Sequence, residues 1–127
     1  MKILARESLE PILLPGRTIQ KVVGKDGPSV SSKMTMGFAH YSAESGPMDP
    51  HQHAEEIVYI LNAKDGYLRY GPSQVDLPEK LKLRAGMTLH VPELEWHVFE
   101  YGEGGFVDII FIYGQVDNIR PEEIENG

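Results

Sequence analysis

The segment that decides the fold occupies residues 46–61 and reads GPMDPHQHAEEIVYIL. It joins a turn rich in glycine and proline to a run of β-branched and aromatic side chains, a pattern typical of a loop that leads into a strand. Residues i and i+2 of an extended chain face the same side, so His51 and His53 can present both imidazoles to one point. The pair is therefore either part of a metal chelate or two exposed loop histidines.

A second segment, residues 86–101, reads GMTLHVPELEWHVFEY. It predicts a strand, a proline turn and a returning strand, and such a hairpin can carry His97 back toward the first two histidines. Strand-length pieces bounded by turn signals lie at 18–23, 33–41, 57–61, 67–70, 80–83, 88–91, 97–101 and 106–113. No piece is followed by a convincing amphipathic helix, and helix is expected only at the ends of the chain, as at Pro121. The pattern predicts an all-β sandwich or barrel.

Together, the two segments resemble the two sequence motifs of the cupin superfamily, whose members are small β-barrels of jelly-roll form. The matching positions are Gly46, His51, His53 and Glu56 in the first motif and Gly86, Pro92 and His97 in the second. The resemblance implies an all-β jelly-roll barrel, a double-stranded β-helix, formed by residues 1–127 as one domain. It also implies a metal inside the barrel, with His51, His53, Glu56 and His97 as its ligands.

The carboxylate ligand has two candidates, because only Ala54 and Glu55 separate His53 from Glu56 where the family motif usually has three or four residues. Counting back from the hydrophobic strand at 57–61 favours Glu56. Alternation counted forward from His53 favours Glu55. If the chain turns after His53, Glu56 faces inward at the start of the next strand and Glu55 faces solvent.

Three imidazoles and one carboxylate can bind one divalent ion, with Mn, Fe, Ni, Zn and Cu as candidates, and leave a position open for water or substrate. We therefore expect a small metal-dependent enzyme that acts on a compact polar substrate such as a sugar, a keto or hydroxy acid, or a phenolic compound. The family resemblance leaves dioxygenase, isomerase, lyase and decarboxylase reactions open. The alternative is a barrel that binds a small molecule or sugar without turnover.

Three further side chains are candidates for contact with that substrate. Trp96 adjoins His97 and is expected to shape the mouth of the pocket, Tyr59 lies on the strand after the first motif, and His40 ends an apolar alternation on an earlier strand. Arg69 and Arg84 are either carboxylate-binding residues, if they face inward, or solvated surface arginines. His90 has the opposite parity to its apolar neighbours, so we expect it on the outer face.

Composition restricts the partners. The 127 residues contain 12 Lys and Arg against 19 Asp and Glu, and the resulting net charge of −7 argues against nucleic acid or an anionic membrane. The sequence has no cysteine, which excludes disulfides and thiolate chemistry and favours the cytoplasm. We also expect a homodimer, because jelly-roll barrels have edge strands that need covering. Residues 12–23 are the segment expected to cross between subunits.

Overall fold

The computed structural model describes residues 1–116. Within this range the chain forms eight β-strands and two short 3-10 helices. The strands are β1 Ile12–Leu14, β2 Arg17–Gly24, β3 Ser29–Val30, β4 Thr35–Ser42, β5 Glu56–Gly71, β6 Glu79–Lys82, β7 Thr88–Val91 and β8 Trp96–Tyr113, and the helices are Arg6–Ser8 and Ala43–Ser45. The prediction of an all-β jelly-roll barrel is confirmed.

The strands are arranged around one long antiparallel pair, β5 and β8. The sheet order is β1-β2-β4-β8-β5-β6, with β3 beside β2 and β7 beside β5. The register of β5 against β8 begins at Glu56 opposite Tyr113 and ends at Gly71 opposite Trp96. Strand β7 pairs with the first residues of β5, so the hairpin of the second motif lies directly beside the end of the first motif.

The two longest strands are each longer than the sequence predicts. The pieces predicted at 57–61 and 67–70 belong to one strand, β5, and those at 97–101 and 106–113 belong to β8. The turn signals between them mark irregular positions in the register, one of them between Lys64 and Gly66. Such bulges bend a strand without ending it. Gly66 is required at its bend, because a Cβ there would lie 2.6 Å from a side-chain carbon of Val107.

The barrel interior is built from the inward side chains of β2, β4, β5 and β8. On β4 alternate residues are buried, among them Ala39 and Tyr41, while Met36 and Phe38 are only partly buried. The most deeply buried aliphatic residues are Ile19, Val58, Ile60, Val107 and Ile109. Ile19 also lines the cavity of the histidine cluster described below.

Helical structure is limited to the two 3-10 helices among residues 1–116. The helix expected near Pro121 lies outside the described residues. The described part of the chain contains no helix with the length and apolarity that crossing a bilayer requires.

Candidate metal centre

The structure brings His51, His53 and His97 together at one point of the barrel interior. One ring nitrogen of each lies within 4.8 Å of those of the other two. The ring centroids of His51 and His97 are 4.5 Å apart, and those of His53 and His97 are 4.8 Å apart. Three imidazoles from two separate segments therefore surround one small volume.

Backbone hydrogen bonds hold the two segments together. The amide of His51 donates to the carbonyl of His97 at 3.0 Å, and the amide of His97 donates to the carbonyl of His51 at 2.9 Å. The amide of Leu94, in the turn between β7 and β8, donates to the carbonyl of His53 at 2.9 Å. The loop before β5 is thus fixed against the hairpin of the second motif by main-chain atoms.

Each imidazole is also oriented by a backbone carbonyl near its Nδ1 atom. The distances are 2.8 Å from His97 to the Glu95 carbonyl, 2.9 Å from His53 to the Ala54 carbonyl and 3.4 Å from His51 to the Asp49 carbonyl. A carbonyl oxygen only accepts, so Nδ1 carries the proton and Nε2 is the nitrogen that can bind a metal. Metal-binding histidines are commonly oriented in this way.

Glu56 supplies a carboxylate to the same point, and Glu55 does not. Oε1 of Glu56 lies 3.5 Å from Nε2 of His53 and 3.9 Å from Nε2 of His97, and Glu56 is only 5% exposed. The side chain of Glu55 is 62% exposed and pairs with His90 on the surface. The chain turns after His53, so β5 begins at Glu56 with that residue facing inward.

Burial keeps two of the imidazoles, His51 and His97, in the neutral form. Burial lowers the pKa of His51 to about 2, and the nearby His97 and His53 rings add to the effect. Burial also lowers the pKa of His97, against the opposing effect of its hydrogen bond to the Glu95 carbonyl. Neutral imidazoles are the form that binds metal. Three imidazole nitrogens and a buried carboxylate are a donor set that fits a divalent transition-metal ion.

The site opens into a cavity of about 10 Å³, which is close to the space that one water molecule needs. Besides the four candidate ligands it is lined by Arg17, Ile19, Ala39, Tyr41, Phe99, Phe111 and Tyr113. The polar members Arg17, Tyr41 and Tyr113 were not identified from the sequence. The signal available for Arg17 was its parity with Ile19 on β2, which places both on the inward face.

Of the three predicted substrate contacts, none is among the residues that line this cavity. His40 lies on β4 next to the inward residues Ala39 and Tyr41, so alternation turns it outward, where its Nδ1 lies 3.1 Å from Asp108. Tyr59 is 40% exposed because it alternates with the inward Val58. Trp96 is partly exposed and precedes the inward His97. His40, Tyr59 and Trp96 therefore lie outside this cavity, and their contact with a substrate stays a prediction.

The other residues weighed from the sequence also lie outside the cavity. The side chain of Arg69 is 43% exposed and lies 3.4 Å from Glu100, and Arg84 is exposed. His90 is exposed, as its parity predicts. Among the residues that the structure describes, Arg17 is the one arginine that lines the cavity.

No protein-family model and no curated protein sequence matches the chain. Among solved structures, the polyketide cyclase RemF from Streptomyces resistomycificus is similar with a TM-score of 0.70 at 22% sequence identity, over 95% of this chain and 82% of that one. A cupin-like protein from Thermotoga maritima has a TM-score of 0.61 at 15% identity, over 91% and 83% of the two chains. The Fe(II) form of HppE has a TM-score of 0.64 at 14% identity, over 89% of this chain and 60% of that one. The likeness in architecture to these proteins, together with the jelly-roll topology described above, identifies the chain as a protein of the cupin fold.

Proposed function

We propose that this protein is a metal-dependent enzyme in which His51, His53, Glu56 and His97 bind one divalent ion, with Mn, Fe, Ni, Zn and Cu as candidates. The observation that carries the proposal is the orientation of the three imidazoles. Each has Nδ1 next to a main-chain carbonyl, and Nε2 of His53 and of His97 faces the carboxylate of Glu56. Glu56 adds the anionic ligand that balances part of the charge of a divalent ion.

The residues around the ligands define what such a site can do. A bound ion would act as a Lewis acid that polarises an oxygen of the substrate. The rings of Phe99 and Phe111 line the cavity, and the ring of Tyr113 packs edge-on against His53 at 5.2 Å between centroids. The small cavity favours a compact polar substrate: a sugar, a keto or hydroxy acid, or a phenolic compound.

The reaction belongs to one of the dioxygenase, isomerase, lyase or decarboxylase classes. The structural neighbours support a metal in this barrel, since one of them is an Fe(II) protein. They do not select a reaction, because that protein and a polyketide cyclase share one fold.

A second candidate function is a barrel that binds a small molecule or sugar without turnover. The volume of the cavity, about 10 Å³, limits the size of a bound ligand and of a substrate alike. Incubation of the metal-loaded protein with representative sugars, keto and hydroxy acids and phenolic compounds separates the two functions. Product detected by mass spectrometry supports the enzyme, and binding without product supports the alternative.

The proposal includes a homodimer in the cytoplasm. An apolar outer face supports the dimer: Ile57 lies opposite Ile112, which lies opposite Met36 on the next strand. Ile57 and Ile112 are 44% and 39% exposed. We expect light scattering to give the mass of a dimer and Ile57→Lys to shift it toward the monomer. A monomeric wild-type protein would contradict this part of the proposal.

Metal analysis of protein purified without an affinity tag tests the central claim. We expect about one equivalent of a divalent ion in the wild-type protein and loss of that ion when His51, His53 and His97 are all replaced by alanine. His90→Ala is the matched control, because it removes an exposed histidine outside the cluster. An unchanged metal content in the triple variant would show that the ion is bound elsewhere.

A further inference from the structure

A second cavity lies next to the candidate metal centre, and the ring of Phe111 lines both. The volume of the second cavity is about 60 Å³, compared with about 10 Å³ for the metal cavity. A water molecule needs roughly 10–15 Å³ of such space, so the second cavity can hold several water-sized groups. It is therefore the larger of these two spaces for a small organic molecule.

Strand β2 positions this cavity at the point where its pairing with β4 becomes irregular. Lys21 lies opposite Gly37, and the register shifts between Lys21 and Val23, as it does at a β-bulge. Alternation turns Lys21 to the same side of β2 as the inward residues Arg17 and Ile19. Bulges often direct side chains toward functional sites. The side chain of Lys21 accordingly lines the cavity, and so does that of Val23.

Two walls of the cavity are fixed by hydrogen bonds of the main chain. One wall is the turn of residues 24–27, in which the carbonyl of Gly24 accepts a hydrogen bond from the amide of Ser31 at 2.9 Å. The other wall includes Thr35, whose hydroxyl donates to the carbonyl of Gln115 at 2.7 Å. A Cβ at Gly24 would lie 3.4 Å from Oγ1 of Thr35, so the two walls meet there. The cavity is therefore held open by packed backbone segments.

The charged side chains of the lining favour a monoanion. Lys21 and Lys25 carry positive charges and Asp26 carries a negative charge, which leaves one positive charge in excess among the described lining residues. A lysine ammonium has three N–H donors, so a lysine that makes another contact within the chain can still donate to a ligand. Lys25 and Asp26 are exposed, whereas Lys21 is partly buried. The anionic group of a ligand is therefore expected near the two lysines, toward solvent.

The inner part of the lining is apolar. Val23, Phe111 and Val116 contribute to it, and Phe111 is only 3% exposed. Each methylene group that a ligand buries strengthens its binding about fourfold. A carboxylate with a short hydrocarbon chain can use both parts of the lining. Inorganic phosphate has no apolar part and can use only the lysines.

We propose that this second cavity is a binding site for a compact monocarboxylate with a short hydrocarbon chain. Lys21 and Lys25 bind the carboxylate, and the hydrocarbon chain packs against Val23, Phe111 and Val116. The site is separate from the histidine cluster and requires no ion there. The inference therefore goes beyond the proposed function and does not depend on it.

The test uses the isotope-labelled full-length protein with Zn²⁺ added and follows backbone amide shifts by nuclear magnetic resonance. Butyrate, the neutral butyramide and the shorter acetate are the probes. We expect butyrate to shift the amide signals of Gly24, Gly27 and Thr35 and to leave that of His53 unchanged. Butyrate should bind at least about threefold more tightly than butyramide. It should bind about tenfold more tightly than acetate, which has two methylene groups fewer.

Variants then test the role of the lysines. Lys21→Gln should weaken butyrate binding at least about threefold and leave butyramide binding unchanged. Lys64→Gln is the matched control, because it removes an exposed lysine that is not among the lining residues. If Lys21→Gln does not fold, Lys25→Gln tests the same contact through an exposed side chain.

The outcomes separate this inference from the proposed function. Equal affinities for butyrate and butyramide, or shifts confined to the histidine segments, would overturn the inference. Inorganic phosphate that binds more tightly than butyrate would overturn the assignment to a carboxylate. A protein that binds no zinc at the histidines but binds butyrate in this cavity would contradict the proposed function and support the inference.

Discussion

His51 and His97 form an isolated antiparallel β-bridge, in which each residue donates its amide to the carbonyl of the other. The two side chains are therefore placed by main-chain atoms and do not depend on a metal ion to meet. Their ring centroids lie 4.5 Å apart. A site built in this way is preorganised, so the protein should fold first and bind metal afterwards.

The first prediction follows from this bridge. His97→Ala keeps the backbone hydrogen bonds to His51 but removes one Nε2 donor, so we expect metal affinity to fall by about one to two orders of magnitude while the metal-free protein stays folded. Calorimetric titration with Zn²⁺ gives the affinity, and circular dichroism of the metal-free variant reports the fold. A variant that loses its fold and its metal together would show that the imidazole is chiefly a core residue.

The second prediction separates the two neighbouring glutamates. Glu56→Gln retains the size of a buried side chain next to His53 and His97 but removes its charge, so metal affinity should fall about tenfold or more. Glu55→Gln changes an exposed side chain and should have little effect. Titration of both variants with the same ion gives the ranking. The opposite ranking would place the carboxylate ligand at Glu55 and require β5 to rearrange when metal binds.

The sequence was sufficient to predict the histidine cluster, because it depends on local rules. The alternation of an extended chain places His51 and His53 on one side, and a hairpin around Pro92 returns His97. The same alternation located most of the strands, although β5 and β8 each continue through a predicted turn. The alternation of β5 likewise places Val58 and Ile60 inside the barrel and Tyr59 outside, as the turn after His53 requires.

The features that could not be predicted depend on contacts between distant segments. The sequence around Gly66 predicts a turn. In the barrel Gly66 instead lies at a bulge, where the side chain of Val107 packs against it, and β5 continues. Arginine in a strand is usually exposed, but Arg17 is only 4% exposed and directly follows Gly16, whose turn packs against Met48. Neither contact leaves a signal in the local sequence.

The third prediction concerns the pH dependence of stability in the metal-free protein. The pKa of His51 is lowered to about 2 in the folded state, and that of His97 is also lowered, whereas both have ordinary values near 6.5 in the unfolded chain. As pH falls below about 6.5 the unfolded state binds protons that the folded state does not, so the free energy of unfolding decreases. The loss continues until the pH reaches the lowered values.

The slope of this loss is measurable. Each histidine lowers the free energy of unfolding by up to about 1.4 kcal/mol per pH unit. His51 and His97 together should therefore make this free energy decline steeply between pH 6 and pH 5. Urea unfolding of the chelator-treated protein at several pH values provides the free energies. His51→Gln should reduce the number of protons taken up on unfolding by about one, and the slope should fall accordingly. A stability that does not change between pH 7 and pH 5 would mean that these imidazoles take up protons in the folded barrel.

The fourth prediction tests the packing of the barrel wall behind the site. A Cβ at Gly37 of β4 would lie 2.6 Å from Cζ of Phe111 and 2.8 Å from the carbonyl oxygen of Gln20, and the backbone atom cannot move aside easily. Phe111 also lines the candidate metal cavity, so displacement of its ring would alter the site. We therefore expect Gly37→Ala to destabilise the protein by about 1–3 kcal/mol and to weaken metal binding as well.

Gly114 provides the matched control for this substitution, because no atom lies within 4 Å of the Cβ it would acquire and its backbone is not in the left-handed region. Gly114→Ala should change the free energy of unfolding by less than about 0.5 kcal/mol, as most surface substitutions do. Chemical denaturation of both variants gives the difference in stability, and titration with Zn²⁺ gives the effect on the site. If Gly37→Ala were as stable as Gly114→Ala, the ring of Phe111 would have to move freely within the wall. The cavity beside the histidines could then enlarge, and the restriction to compact ligands would no longer follow from its size.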